Sequence, residues 1–230
     1  MKVANSIKLI STNRSKSDLQ IIGDRVSRLW NAANYKMRES FFRKNGVPVG
    51  ARLEKLMPGE PEYRQLPSDI AQEVLKKLSE SWKSYFALRE KWAEKPSGDQ
   101  KPGLPAYRKD HRSGGRPVDY IPIKTSRSYS IDSKDVHIVL PRDRRSNWTG
   151  NRLNIAYRGR CRYTGKMGRA ELRYDRTRRR WSMNWTVKLE EKHIPKTIAG
   201  ARTAAIDSGV RISASLSIEG LGLLRTCHCP

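Results

Sequence analysis

Apolar residues recur along this chain in two rhythms, and the change between them divides it. The opening KVANSIKLI alternates and predicts a strand. From Ser15 to Arg43 the step lengthens: Ile22, Val26, Leu29, Trp30, Ala33, Met37 and Phe41 fall three or four apart, the spacing of one helix face. Asn45-Gly46 and Pro48 end that helix. MPGEPEYRQLP reads as a loop. A second helix is predicted from Ser68 to about Trp92, with Ile70, Val74, Leu78, Trp82, Tyr85 and Phe86 as its stripe. Asp69 and Gln72 have capping-box spacing at its start. Two apolar stripes of this length are expected to pack on each other as core.

Glu94 to Pro117 is rich in Gly, Pro and charge and reads as a connector. From Val118 the period becomes two. SYSIDSKDVHIVLPR, NRLNIAYRGRCRY, RAELRYDR and RWSMNWTVKLE alternate or are β-branched and aromatic, and YDRTRRRW joins two of them as a hairpin loop. EKHIPKTIAGART then leads to TAAID and SASLSI, which can pair across SGVRI. The fold class is α+β: a helical pair inserted after the first strand of an antiparallel barrel or sandwich, followed by one more hairpin. A hairpin alone is marginal in water and calls for further sheet or a partner. The expected segments are 1–13 (first barrel strand), 14–95 (helices), 96–117 (connector), 118–196 (rest of the barrel) and 197–230 (last hairpin).

Composition adds a partner class. The 230 residues carry 47 Lys and Arg against 23 Asp and Glu, a formal charge of +24. The cations recur along most of the length, and a field of that sign draws polyanions, nucleic acid first. No apolar run approaches membrane-spanning length, so no membrane partner is expected. The first residues lack a signal-peptide core, and three cysteines (Cys161, Cys227 and Cys229) make no disulfide framework. A cytoplasmic protein is the default.

Several residues could carry chemistry. Asp207 ends an apolar strand and is followed by Ser-Gly; it reads either as a carboxylate ligand for a hard metal ion or as ordinary turn chemistry. In YRGRCRY, period two places Arg158, Arg160 and Arg162 on one strand face. Arg176, Arg178, Arg179 and Arg180 crowd a hairpin tip beside Trp181. These arginines suit phosphate contact. Trp181 reads as core, because the strand after it alternates. GLPAYRKD offers Tyr107, Arg108 and Lys109 to single-stranded nucleic acid. Cys227-His228-Cys229 lacks the second ligand pair that a structural zinc site needs, so no zinc ribbon is expected.

Taken in order, LWNAANYKMRESFFR, LPSDIAQEVLKKLSESWKSYF, KPGLPAYRKD, the strands SYSIDSKDVHIVLPR and AELRYDRTRRRWSMNWTVKLE, and AAIDSGVRISASLS resemble the N-terminal portion of the TnpB family. These are transposon-encoded RNA-guided DNA endonucleases related to type V CRISPR effectors. The resemblance implies a wedge-type barrel, a helical recognition lobe over 14–95, and at 197–230 the first hairpin of a RuvC (RNase H-like) domain. It implies that Asp207 is the first catalytic, Mg²⁺-binding carboxylate and that guide RNA and DNA are the partners. Ser68 and Gln72, at the start of the second helix, would face the short duplex motif beside the target, Gln being suited to adenine; for Gln72 the capping role stands equally open. The barrel arginines would hold the guide or the heteroduplex by its backbone. Ser208 departs from the family, which more often has an apolar residue there. The family's second and third carboxylates and its zinc ribbon have no counterpart in these residues, and LGLLRTCHCP does not resemble its continuation. The expectation is therefore a truncated, nucleoid-associated prokaryotic binder that does not cut alone. The alternatives are one half of a split or frameshifted nuclease whose C-terminal part is missing, and a basic structural RNA-binding protein, which would lack an ordered hairpin at Asp207.

Overall fold

The computed structural model describes residues 1–94, 101–108, 120–124, 128–139 and 152–189, together with the backbone of 204–207, 215–218 and 222–224. The chain divides into two compact units, Met1–Leu189 and Glu190–Pro230.

In the first unit, strand β1 (Lys2–Ile10) leads into helix α1 (Asn13–Phe42). Thr12 caps α1, its hydroxyl accepting the Ser15 N–H at 3.2 Å. Lys44 and Gly46, both at positive φ, turn the chain away after its last turn. The stretch expected as a loop contains structure. A short helix α2 (Ala51–Leu56) precedes it, and a single turn α3 (Pro61–Arg64) lies within it. Pro61 explains the turn: at the first helical position its fixed φ is already helical and no N–H is lost. Helix α4 spans Ser68–Glu94.

The two stripes do pack on each other. Leu19, Ile22, Val26, Leu29, Ala33 and Met37 of α1 and Ile70, Val74, Leu75, Leu78 and Trp82 of α4 are all buried, and the helices are in contact. Phe41, Trp82, Tyr85 and Phe86 close the far end as an aromatic cluster, with centroids 5.3 to 6.2 Å apart.

The sheet is wholly antiparallel, built from β1, β2 (Tyr120–Ile123), β3 (Tyr129–Ile131), β4 (Asp135–Val139), β5 (Arg152–Arg158), β6 (Lys166–Asp175) and β7 (Arg180–Lys188), in the order β2-β6-β7-β1-β5-β4-β3. The segment read as one alternating run is a hairpin, because the Asp132 carboxylate takes the N–H groups of Lys134 and Asp135 and turns the chain there. Strand β1 is central: residues 2–8 pair with β7 and residues 8–10 with β5. Inward positions alternate strictly along β7 (Trp181, Met183, Trp185, Val187), and Trp181 is core, at 1% exposure. Pro122 is tolerated because β2 is an edge. The sheet curls until its other edge nears β6: the Tyr129 hydroxyl of β3 donates to the Gly168 carbonyl at 2.7 Å, and burial pushes that phenol up to about 12.

The second unit contains an antiparallel meander of β8 (Ala204–Asp207), β9 (Ser215–Ile218) and β10 (Gly222–Leu224). Ile206 lies opposite Leu216, and Asp207 opposite Ser215.

Asn34 knits the first unit together. Its buried amide oxygen accepts the Trp82 indole N–H at 3.0 Å, and its NH₂ donates to the Pro105 carbonyl at 2.9 Å. Asn34→Ala leaves the buried indole N–H without its acceptor and is expected to lower unfolding free energy by about 1–3 kcal/mol. Denaturant titration of both proteins measures this; a change within about 0.5 kcal/mol would refute the role.

Candidate nucleic-acid interface

The segment expected to pin single-stranded nucleic acid is itself pinned, on α1. Trp30, Asn34 and Arg38 donate to the Ala106 and Pro105 carbonyls, and Asn31 exchanges two 2.8 Å hydrogen bonds with the backbone of Arg108. These donors recur on one helix face, at i, i+1, i+4 and i+8. The Arg108 guanidinium lies 4.5 Å from the ring centroids of both Trp30 and Tyr120. Arg108 is thereby a packing cation between α1 and β2, with its faces covered by rings, and does not offer itself to a nucleic acid. Tyr107 faces outward: with Tyr35, Arg38, Glu39, Phe42 and Arg43 it lines a surface hollow of about 330 Å³, where Arg38 stacks 4.5 Å from its ring. Lys109 lies outside the described residues.

The start of α4 meets the seam between the two sheet edges. The Ser128 hydroxyl, just before β3, donates to Asp69 Oδ2 at 2.6 Å, and Lys124, just after β2, donates to Gln72 Oε1 at 3.3 Å. The capping box is therefore not what these side chains do. Asp69 lies inside the helix rather than before it, and both reach for the sheet. Ser68 is exposed at the helix start, while Gln72 is half-buried.

The three strand arginines do not share a face. Gly159, at φ 125°, ends β5 directly after Arg158, and Arg160 and Arg162 lie on the irregular segment that follows. That segment is held by the buried Asn5 side chain, which accepts from the N–H groups of Arg162 and Tyr163 and donates to the Tyr163 carbonyl. Arg158, Arg160 and Arg162 are nonetheless all exposed. At the β6–β7 tip, Arg178 is bound to Asp175, Arg179 sits at φ 49° and is exposed, and Arg180 opens β7 half-buried.

One feature has no signature in the sequence. A groove of about 760 Å³ runs along α4 and the outer face of β6, β7 and β1. Among the described residues that line it, the cations are Lys2, Lys77, Lys166, Arg169 and Lys188 and the acid is Glu171. Arg169 Nε is 2.7 Å from the buried Glu73 carboxylate, and its Nη1 is 3.0 Å from Glu80. Lys77 and Arg173 bind Glu171, whose carboxyl is held below the usual range; burial acts against that shift, and the two cations outweigh it. Signals in single segments could not reveal this site, because its residues come from strands separated by more than a hundred positions.

On the outer face of β4, both His137 ring nitrogens meet oxygen: Nδ1 lies 2.8 Å from Asn154 Oδ1, and Nε2 lies 2.7 Å from Asp132 Oδ2. The imidazolium satisfies both contacts. Asn154 first and Asp132 second raise the His137 pKa, while the His137 hydrogen bond and two backbone N–H groups hold Asp132 far below the carboxylate range.

Asp207 is the last residue of β8, and its side chain falls outside the described residues, as do Cys227, His228 and Cys229. It is the only acidic position in the three described strands of the second unit. A two-magnesium centre draws on several carboxylates, so these strands alone do not make one. Among the described residues no group of three His, Cys, Asp or Glu side chains gathers as a metal site, and no helix is long and apolar enough to cross a membrane.

No family model matches the chain. It is 27% identical over 239 residues to "TnpB-like protein ORF457" of Acidianus two-tailed virus, a match covering 96% of this chain and 50% of the relative. The chain thus spans about half the length of that curated relative. Among solved structures, a Cas12f1–sgRNA–target DNA complex aligns with a TM-score of 0.46 at 14% identity, over 98% of this chain and 56% of the other. A CRISPR-Cas12f ternary complex aligns with a TM-score of 0.48 at 13% identity, over 92% and 48%.

The His137 contacts yield a pH dependence. With a raised folded pKa, the stability His137 contributes is complete below its unfolded value of about 6.5 and is lost as pH rises through the folded value. The contribution of Asp132 is present above about 3.9 and is lost as pH falls through its depressed value. NMR titration is expected to place His137 above 6.5, and Asp132→Asn to lower it; an unchanged titration in that variant would break the assignment.

Proposed function

The chain belongs to the TnpB-like proteins, and on that premise we propose that it holds nucleic acid without cutting it when these 230 residues act alone. The observation that carries the reading is the groove between α4 and the sheet, whose described lining holds five cations and one acid within a protein of net charge +24. In this reading the curled sheet is the family's wedge barrel, α1 to α4 are its recognition lobe, and β8 with β9 opens the RuvC fold. Guide RNA and DNA are the partners. Ser68, Tyr107, Arg158, Arg160, Arg162 and Arg179 are the exposed or outward-facing members of the contact set, while Arg178, Arg180 and Gln72 contribute what their protein contacts leave available. The strand pairing around Asp207 supports a RuvC-derived segment over a purely structural basic protein, which would need no such hairpin.

Asp207 is the residue that fits the family's first metal-binding carboxylate: a hard oxygen donor at a strand end. Magnesium, when bound there with further carboxylates, would polarise a phosphodiester. One carboxylate does not assemble that centre, which is why no cleavage is assigned to these residues alone. A second reading rests on the half-length match to the viral relative: further carboxylates, supplied by additional polypeptide, would complete the site.

Purified protein incubated with Mg²⁺, co-purifying RNA and a library of DNA targets is expected to bind but to leave the DNA intact. Robust cleavage that Asp207→Ala abolishes would overturn the first reading. Cleavage that appears only after adding a polypeptide matching the uncovered half of the viral relative, and again needs Asp207, would establish the second.

A further inference from the structure

Within the groove, three lysines stand in one line. Strand register places Lys188 directly opposite Lys166 on one side and directly opposite Lys2 on the other. All three side chains are exposed, and all three line the groove. Adjacent strands are about 4.8 Å apart, so three ammonium groups rise from a span of roughly 10 Å. Like charges directly opposite one another on a sheet are destabilising, and a fold has no structural use for two such pairs in succession.

Among the described residues, no acid is within ion-pair distance of Lys2, Lys166 or Lys188. The acids at the groove are engaged elsewhere: Glu171 with Lys77 and Arg173, Glu73 with Lys76 and Arg169, and Glu80 with Arg169.

The backbone around the row holds its register. Gly165, just before Lys166, is at φ 151°, and a Cβ there would lie 2.6 Å from the Lys188 carbonyl. Three residues on from Gly165, beside a register shift in the β6–β7 pairing, a Cβ on Gly168 would meet Thr186 Oγ1 at 2.2 Å. Gly168, Thr186 and Ala4 therefore make a floor of small residues beside the lysines. A ligand can lie along it without large side chains holding it off.

We propose that Lys166, Lys188 and Lys2 form a site for consecutive phosphates of a nucleic-acid backbone, which crosses β6, β7 and β1 along the groove floor. The chemistry selects a polyanion with regularly spaced charges and reads neither base nor sugar. Lysine, a point charge on a flexible stem, suits phosphate contact of that kind. The assignment rests on the nucleic-acid-binding reading above and locates part of it.

The test compares full-chain wild type with two triple variants. One carries Lys2→Gln, Lys166→Gln and Lys188→Gln; the other, a charge-matched control, carries Lys16→Gln, Lys55→Gln and Lys91→Gln at exposed helical positions. Binding to single-stranded RNA, single-stranded DNA and duplex DNA is measured over a salt series. The row variant is expected to bind at least about tenfold more weakly than the control near 0.1 M salt. Its log affinity against log salt should flatten by about 2 to 3 relative to wild type. The arm with the tightest wild-type affinity identifies whose phosphates the site takes. Without nucleic acid, relief of the like-charge pairs should raise the Tm of the row variant by about 2–4 °C. Binding equal to the control, or a fall in that Tm, overturns the site while leaving the general reading in place. Failure of wild type to bind any of the three overturns both.

Discussion

Glu73 is 2% exposed in the second turn of α4, and a carboxylate that deeply placed must meet a cation. It meets Arg169, which extends from β6, with Arg169 Nε 2.7 Å from Glu73 Oε2. The geometry falls outside that of a hydrogen bond, so the contact is Coulombic. This pairing lays α4 along the outer face of the sheet, and its neighbours follow. Glu80 binds the same arginine two turns further along, and Lys77 reaches Glu171 on the strand. Removing Arg169 would leave the buried Glu73 carboxylate with Lys76 of its own helix and no cation from the sheet, so the helix and the sheet depend on each other.

The same arrangement determines the electrostatics of the groove. α4 is the element that could have supplied acids to the sheet, and its acids at this surface are engaged by Arg169 and Lys76. Lys2, Lys166 and Lys188 of β1, β6 and β7 are left exposed, with no counter-ion among the described residues. A structural salt-bridge network thus creates an anion-attracting surface beside it.

Along α1, the 103–108 segment, part of the stretch read as a connector, is a clamp. Its carbonyls satisfy Trp30, Asn34 and Arg38, and Arg108 fills the gap between Trp30 and Tyr120. A basic residue in a Gly- and Pro-rich stretch looks like a nucleic-acid contact until its guanidinium is found between two rings. Tyr107, one residue earlier, faces outward beside Tyr35 and Phe42, which are 59% and 67% exposed. Whether a residue binds outward or packs inward changes here between neighbours.

Elements whose side-chain rhythm is local are legible in the residues alone. The period of 3.6 revealed α1 and α4 and their shared core, and the period of two revealed β1, the β6–β7 hairpin and the burial of Trp181. Burial on one face imposes those periods, so they can be read segment by segment. The turn at Pro61 and the break at Gly159 leave no mark on the periodicity, because one residue's backbone conformation overrides the surrounding pattern. The placement of Ser68 and the exposure of Arg158, Arg160 and Arg162 were accessible from sequence, but the protein partners of Gln72, Arg178 and Arg108 were not. The lysine row was decided only by tertiary structure: Lys2 and Lys188 are near opposite ends of the first unit, and strand register alone sets them side by side. Register arises from pairing between distant segments, and a shift of one residue would send every one of these side chains to the other face.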